Sequence, residues 1–161
     1  MTGKIVNIVI TLTVILSVSG LLGYIYYADV TAMSGIEIKL NDVDLTDVKL
    51  SSFKLKLHTS IYNPTDQDIS ELSSAFNIYI EDNFVGKGSF SKTFIYAHSQ
   101  IEKDISITIF YSGLADATID VIIEIIKEGN FDLIISGNIS GNVLFNLIEF
   151  SQEFEATYIY S

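Results

Sequence analysis

Twenty-four consecutive residues near the start of this chain, Ile5 to Ala28, carry no charge. At about 1.5 Å per residue a helix of that length reaches about 36 Å, more than the roughly 30 Å hydrocarbon core of a bilayer. The run therefore predicts a transmembrane helix over residues 5–28, with the lipid bilayer as its partner. Residues 1–4 form a cytoplasmic end, 29–35 a linker, and 36–161 one separate domain.

The flanking charges orient the span. Lys4 and the amino terminus stand before it and Asp29 and Glu37 after it, so the positive-inside rule places the N-terminus in the cytoplasm and the C-terminal domain outside the cell membrane. Tyr24, Tyr26 and Tyr27 then fall at the outer headgroup level. A cleaved secretory signal with Ala28 or Ala32 near its cleavage site is the competing reading. The apolar run is longer than the roughly 7–15 residues typical of a signal core, which favours retention as a single-pass anchor. Thr13 with Ser17, and Ser19 with Gly23, are spaced for close helix packing, which leaves self-association open.

Beyond the span the chain turns acidic. Eight Lys face twenty Asp and Glu from Asp29 onward, a formal charge of −12. Such a surface repels nucleic acid and anionic headgroups, so a nucleic-acid partner is not expected. With no Cys, disulfides, thiolate nucleophiles and thiolate metal sites are all excluded. Stability must come from an apolar core, which about 130 residues can build. The preference for Lys over Arg and the abundance of Ile suit an AT-rich, archaeal-like genome.

The domain reads as mostly strands. Phe53, Leu55, Leu57, Thr59 and Ile61 alternate with Lys54, Lys56, His58, Ser60 and Tyr62, a period of two that buries one face. Short strands over Ser34 to Leu50 precede this one, and Asn63-Pro64-Thr65-Asp66 ends it in a turn. Alternation resumes over Leu72 to Glu81, and an Asp82-Asn83 turn leads into Phe84, Val85 and Gly86-Lys87-Gly88. Extended runs follow at Phe90 to Tyr96 and Ile101 to Tyr111. Lys103 interrupts the apolar face of the second, which points to a strand start at Asp104. From Leu114 to Glu128 the period becomes helical, with Leu114, Ile119, Ile122, Ile123 and Ile126 opposite Asp116, Asp120 and Glu124, closed by Gly129. This helix is expected to cover one side of a sheet. Two last strands, Phe131 to Ser140 and Asn142 to Tyr160, are separated by Gly141. The expected fold class is mainly β: a fibronectin- or immunoglobulin-like β-sandwich with one α-helix packed on it, preceded by the transmembrane helix.

Candidate chemistry is thin. Asn41, Asp42, Asp44 and Asp47 offer oxygens for a hard cation, but Val43, Leu45 and Val48 interrupt them as core residues do, and the glycine and terminal glutamate of a calcium loop are missing. The cluster reads better as a solvated strand face, as do Asp66, Asp68 and Glu71. His58 and His98 are the only imidazoles, and no nucleophile elbow accompanies them, so both read as surface residues. Gly86-Lys87-Gly88 lacks the ending of a phosphate loop and suits a hairpin. No catalytic residue, metal ligand or cofactor site is expected. Asn138-Ile139-Ser140 is an acceptor sequon for glycosylation on the side expected to be exported.

The succession of Phe53 to Tyr62, Asn63-Pro64, Ile69, Leu72, Phe76-Asn77-Ile78-Tyr79-Ile80, Gly86, Gly88, Ile95-Tyr96-Ala97 and Ile105 to Ile109 resembles the late embryogenesis abundant type 2, or WHy (water stress and hypersensitive response), domain. It covers roughly residues 36–160, in spacing more than identity, and Thr65 stands where that family usually has a second Asn. The resemblance implies a fibronectin-like sandwich with one helix, no cofactor, no catalytic residues, and a role in desiccation or stress protection at the cell envelope. Asn63 and Pro64 are its structural signature. Unknown protein or lipid partners go with this reading. Two alternatives remain: a pilin-like filament subunit processed at Gly3-Lys4, and a carrier of lipid or another apolar ligand held between the helix and the sheet.

Overall fold

The computed structural model describes residues 2–143 and 148–160. Helix α1 spans Thr2–Ser34, running through most of the segment read as a linker. The strands are β1 Glu37–Thr46, β2 Ser52–Tyr62, β3 Ile69–Ile80, β4 Asn83–Ile95, β5 Gln100–Phe110, β6 Phe131–Val143 and β7 Ile148–Tyr160, with α2, Asp116–Glu128, between β5 and β6. They form two antiparallel sheets, ordered β1-β2-β5 and β4-β3-β6-β7. β1 lies alongside β7 and β5 alongside β4, closing the sheets face to face as a β-sandwich.

Alternation along β2 follows the sequence pattern at all but one position: Phe53, Leu55, Leu57, Thr59 and Ile61 are buried, Lys54 is exposed, and Lys56, His58 and Tyr62 are half-buried, but Ser60, expected on the outward face, is buried, its hydroxyl donating to Asn41 Oδ1 at 3.1 Å. One core cluster gathers Val43, Phe53, Leu55, Leu57, Ile78, Ile80 and Leu133, and a second gathers Ile36, Ile61, Ile69, Leu72, Ile95 and Ile139. The first occupies the end where β1 turns into β2 and β3 into β4. The second lies at the opposite end, where α1 enters; Val30 of α1 packs against it.

Several local expectations are corrected. The segment before Leu50 forms one long strand, β1, with a bulge at Leu40/Asp42. The β3–β4 turn sits at Glu81-Asp82, one residue earlier than Asp82-Asn83, and both carry positive φ (47° and 64°), as a tight hairpin matching strand twist demands. β4 is continuous from Asn83 to Ile95, so Phe90 to Tyr96 is no separate strand. β5 begins at Gln100; Lys103 is tolerated on the half-buried face of this edge strand because its ammonium lies 5.5 Å from the Phe90 ring centroid. Gly141 does not divide two strands but lies inside β6, opposite Phe150 of β7.

α2 caps one end of the sandwich, joining the last residues of β5 to the first of β6. Gly129, at φ 77°, closes it in the left-handed conformation that glycine adopts at little cost. Among its described side chains, Thr118, Ile122 and Ile125 are buried. Ile123, assigned to the apolar face, is 44% exposed, because the face is centred one position further round the helix; the side chain of Ile126 lies outside those described. Along α1, Ile8–Ala28 is long and apolar enough to cross a membrane and none of it is buried. Thr13 donates its hydroxyl to the Val9 carbonyl at 2.9 Å, satisfying itself within the helix.

Candidate functional site

The outer face of the three-stranded sheet carries the densest polar chemistry. Antiparallel register sets Asp42 of β1, His58 of β2 and Asp104 of β5 side by side. The imidazole approaches two carboxylates at once: Nδ1 is 2.7 Å from Asp104 Oδ1, and Nε2 is 3.1 Å from Asp44 Oδ2. Lys56 reaches the other Asp104 oxygen at 2.8 Å, and Lys54 pairs with Asp47 at 2.7 Å. Asp44, above all, and Asp104 raise the His58 pKa, against the opposing pull of desolvation. When protonated, the ring donates from both nitrogens and the two carboxylates share its charge.

These pairings make stability depend on pH, in opposite senses for the imidazole and the carboxylates. His58 is raised above its usual 6.5, so its pairing contributes fully below that value and is lost as pH rises through the folded pKa. Asp104, held down mainly by Lys56, and Asp47, held down by Lys54, are lowered from 3.8. Their contribution is present above that value and lost as pH falls through their folded pKa values. Urea midpoints across the neutral range are expected to decline on the alkaline side of His58, and His58→Gln to flatten that slope. An unchanged slope would show that the pair is energetically silent.

The oxygens that suggested calcium are turned to separate partners. Asp42 Oδ1 accepts from the Val43 amide at 2.8 Å and from the Tyr158 hydroxyl at 3.0 Å, the latter a link between the two sheets. Asn41 accepts from Ser60, and Asp47 from Lys54. Of the residues thought to interrupt this cluster as core, Val43 is fully buried, Leu45 half-buried, and Val48 exposed in the β1–β2 loop. Asp66 binds His98 at 2.6 Å, Asp68 accepts the Ala97 amide at 2.8 Å, and Glu71 pairs with Lys92 at 2.9 Å. Among the described residues no three His, Asp or Glu converge as metal ligands.

Asn63 is completely buried at the end of the sandwich where α1 enters. Its amide nitrogen donates to the Gln67 carbonyl at 2.6 Å and the Tyr96 carbonyl at 3.2 Å. Its oxygen accepts the Thr65 amide at 3.1 Å and the Thr65 hydroxyl at 2.7 Å, while its backbone amide donates to Ser99 at 2.9 Å. One side chain thus ties the β2–β3 loop to the β4–β5 loop. Pro64 beside it is half-buried.

Gly86 and Gly88 lie within β4, opposite Ile78 and Phe76. Asn138 is exposed on β6, between β3 and β7. The His58 pairing was not legible in the sequence, because period-two alternation predicts which residues face outward but not which strands are neighbours.

No protein-family model matches the sequence, and no curated protein matches it significantly. Among solved structures, an Arabidopsis thaliana protein determined in solution is similar at a TM-score of 0.58 and 20% identity, covering 76% of this chain and 79% of that one. A protein from Archaeoglobus fulgidus gives 0.46 at 11% identity, covering 78% and 94%. A protein described as a candidate late embryogenesis abundant protein gives 0.44 at 11% identity, covering 92% and 83%. The Arabidopsis likeness shows a shared fold: the same two-sheet sandwich underlies both chains.

Proposed function

We propose that this chain is a membrane-anchored, non-enzymatic domain of the WHy type, displayed outside the cell membrane and acting through contacts with envelope proteins or lipids under water or solute stress. The observation that carries the reading is the state of α1. Residues Ile8–Ala28 stay entirely unburied while the sandwich completes its own core without them. In water that exposure costs about 25 cal/mol for each Å² of apolar surface, and lipid removes the cost. The shared sandwich and the Asn63-Pro64 turn support the WHy part of the reading.

Carbonate washing of membranes is expected to leave the chain in the pellet, and protease added to intact cells to remove the sandwich. Release by carbonate would overturn the anchor, and full protection of the domain would reverse its orientation. In dried and rehydrated vesicles, reconstituted protein is expected to reduce leakage; equal leakage with and without it argues against stress protection. Turnover of a substrate by the purified chain, abolished by one substitution, would defeat the non-enzymatic part. Use of Asn138 as a glycan acceptor belongs to the same outward placement. For the lipid-carrier alternative, Ile122 and Ile125 fill the seam between α2 and the sheets, and nothing observed favours processing at Gly3-Lys4.

A further inference from the structure

The junction between α1 and the sandwich leaves no slack. The apolar span ends at Ala28, and Val30 already packs against the core cluster containing Ile36, Ile61, Ile69 and Ile95. The helix continues to Ser34, Gly35 still donates to the Thr31 carbonyl at 3.1 Å, and Ile36 is buried. Two residues of helix rise are about 3 Å. The headgroup layer on each side of a bilayer is roughly 5–7 Å deep, from the difference between total and hydrocarbon thickness. A core that begins about 3 Å beyond the span therefore starts within the headgroup layer.

The same end of the sandwich exposes an aromatic pair. Phe94 and Tyr96 are 47% and 66% exposed, and their rings meet edge to face with centroids 4.8 Å apart. They flank Ile95, which is buried in the cluster that receives Val30. Tyr96, an aromatic ring with a polar tip, favours the membrane–water boundary, where Tyr24, Tyr26 and Tyr27 of α1 also fall, and Phe94 adds apolar area beside it. Acidic groups at this end are partly paired, Glu37 with Lys39 and Glu71 with Lys92, while exposed Asp68 and Glu102 keep it acidic, so a zwitterionic surface and not an anionic one is what it can meet.

Building on the anchor reading, we propose that this end of the sandwich rests on the outer leaflet of the bilayer that holds α1, with Phe94 and Tyr96 seated among zwitterionic headgroups. The domain is held flush and at a fixed angle instead of swinging on a tether. The opposite end, with Leu50 fully exposed in the β1–β2 loop and α2 beside it, is then the surface presented to partners.

The absence of Cys permits unique spin labels in the full chain reconstituted into phosphatidylcholine vesicles. Labels at V14C, Q100C and L50C report on the span, the membrane-facing end and the far end. Oxygen is expected to reach the V14C label and a water-soluble nickel chelate to be excluded from it. Nickel exposure at Q100C should be several-fold lower than at L50C, and the added pair F94S/Y96S should raise it to the L50C level. Because both aromatics are exposed, the fold survives their removal, and an unchanged far-UV circular dichroism spectrum verifies this; Tyr96→Ser alone supplies a milder variant with an intermediate shift. A Q100C label as nickel-exposed as L50C, with V14C still in lipid, overturns the docking and leaves the anchor standing. Nickel access at V14C overturns the anchor itself. A Q100C label shielded equally with and without the aromatic pair overturns their assigned role.

Discussion

Replacing Asn63 by leucine is expected to destabilise the domain by about 3–5 kcal/mol, among the largest effects of any single polar substitution in the chain. The volume is nearly conserved, so the loss comes from hydrogen bonding. The amide group of Asn63 serves the Gln67 and Tyr96 carbonyls and the Thr65 amide and hydroxyl. Each group left buried without a partner costs about 1–3 kcal/mol, reduced where relaxation admits water. Aspartate is no remedy, because it keeps the acceptors, loses both donors and brings a charge into a fully buried site. Pro64→Ala, in contrast, should cost about 1 kcal/mol or less, since proline there mainly restricts the unfolded chain. Urea midpoints of the full chain in detergent micelles measure both. A midpoint for Asn63→Leu equal to that of the parent would show that the two loops are held together by other contacts.

The second large effect is expected at Gly137. It lies opposite Phe76 on one side and Phe154 on the other, and Gly88 faces Phe76 from β4, so glycine and phenylalanine alternate across the four-stranded sheet. The Phe76 and Phe154 rings meet edge to face at 6.1 Å. A Cβ on Gly137 would overlap the Ala75 carbonyl and the Phe76 Cα, backbone atoms that cannot rotate away. Gly137→Ala should therefore cost about 3 kcal/mol, the upper part of the usual range for overpacking. Gly86→Ala is the matched control, because its nearest neighbour would be the Ile109 side chain at 3.5 Å, an ordinary contact. If the two substitutions shift the thermal midpoint equally, strand entropy and not the clash is the cause.

Short-range patterning made β2 and α2 recognisable, because period-two or helical spacing of Phe53 to Ile61 and Leu114 to Gly129 records which side of each element avoids water. The Asp-Asn hairpin was misplaced by one residue, because Glu81 adopts a positive φ that its residue type disfavours, held by hydrogen bonds between Glu81 and Asp132. The start of β5 was blurred by Lys103, whose place over Phe90 depends on a residue in another sheet. His58 shows the same limit at the candidate site: Asp44 lies 14 positions away and Asp104 lies 46.

The order of residues alone determined the spanning length of α1, the acidity of the domain beyond it, the exclusion of cysteine chemistry and the mainly β character, because these depend on composition and on neighbours along the chain. Tertiary structure decided that Asn63 joins two loops, that His58 sits between two carboxylates, that glycine flanks Phe76 on both sides, and that Val30 of α1 packs against the sandwich core. Each of these rests on strand neighbours and register, which are set by the joint burial of distant segments, and no local pattern carries that information.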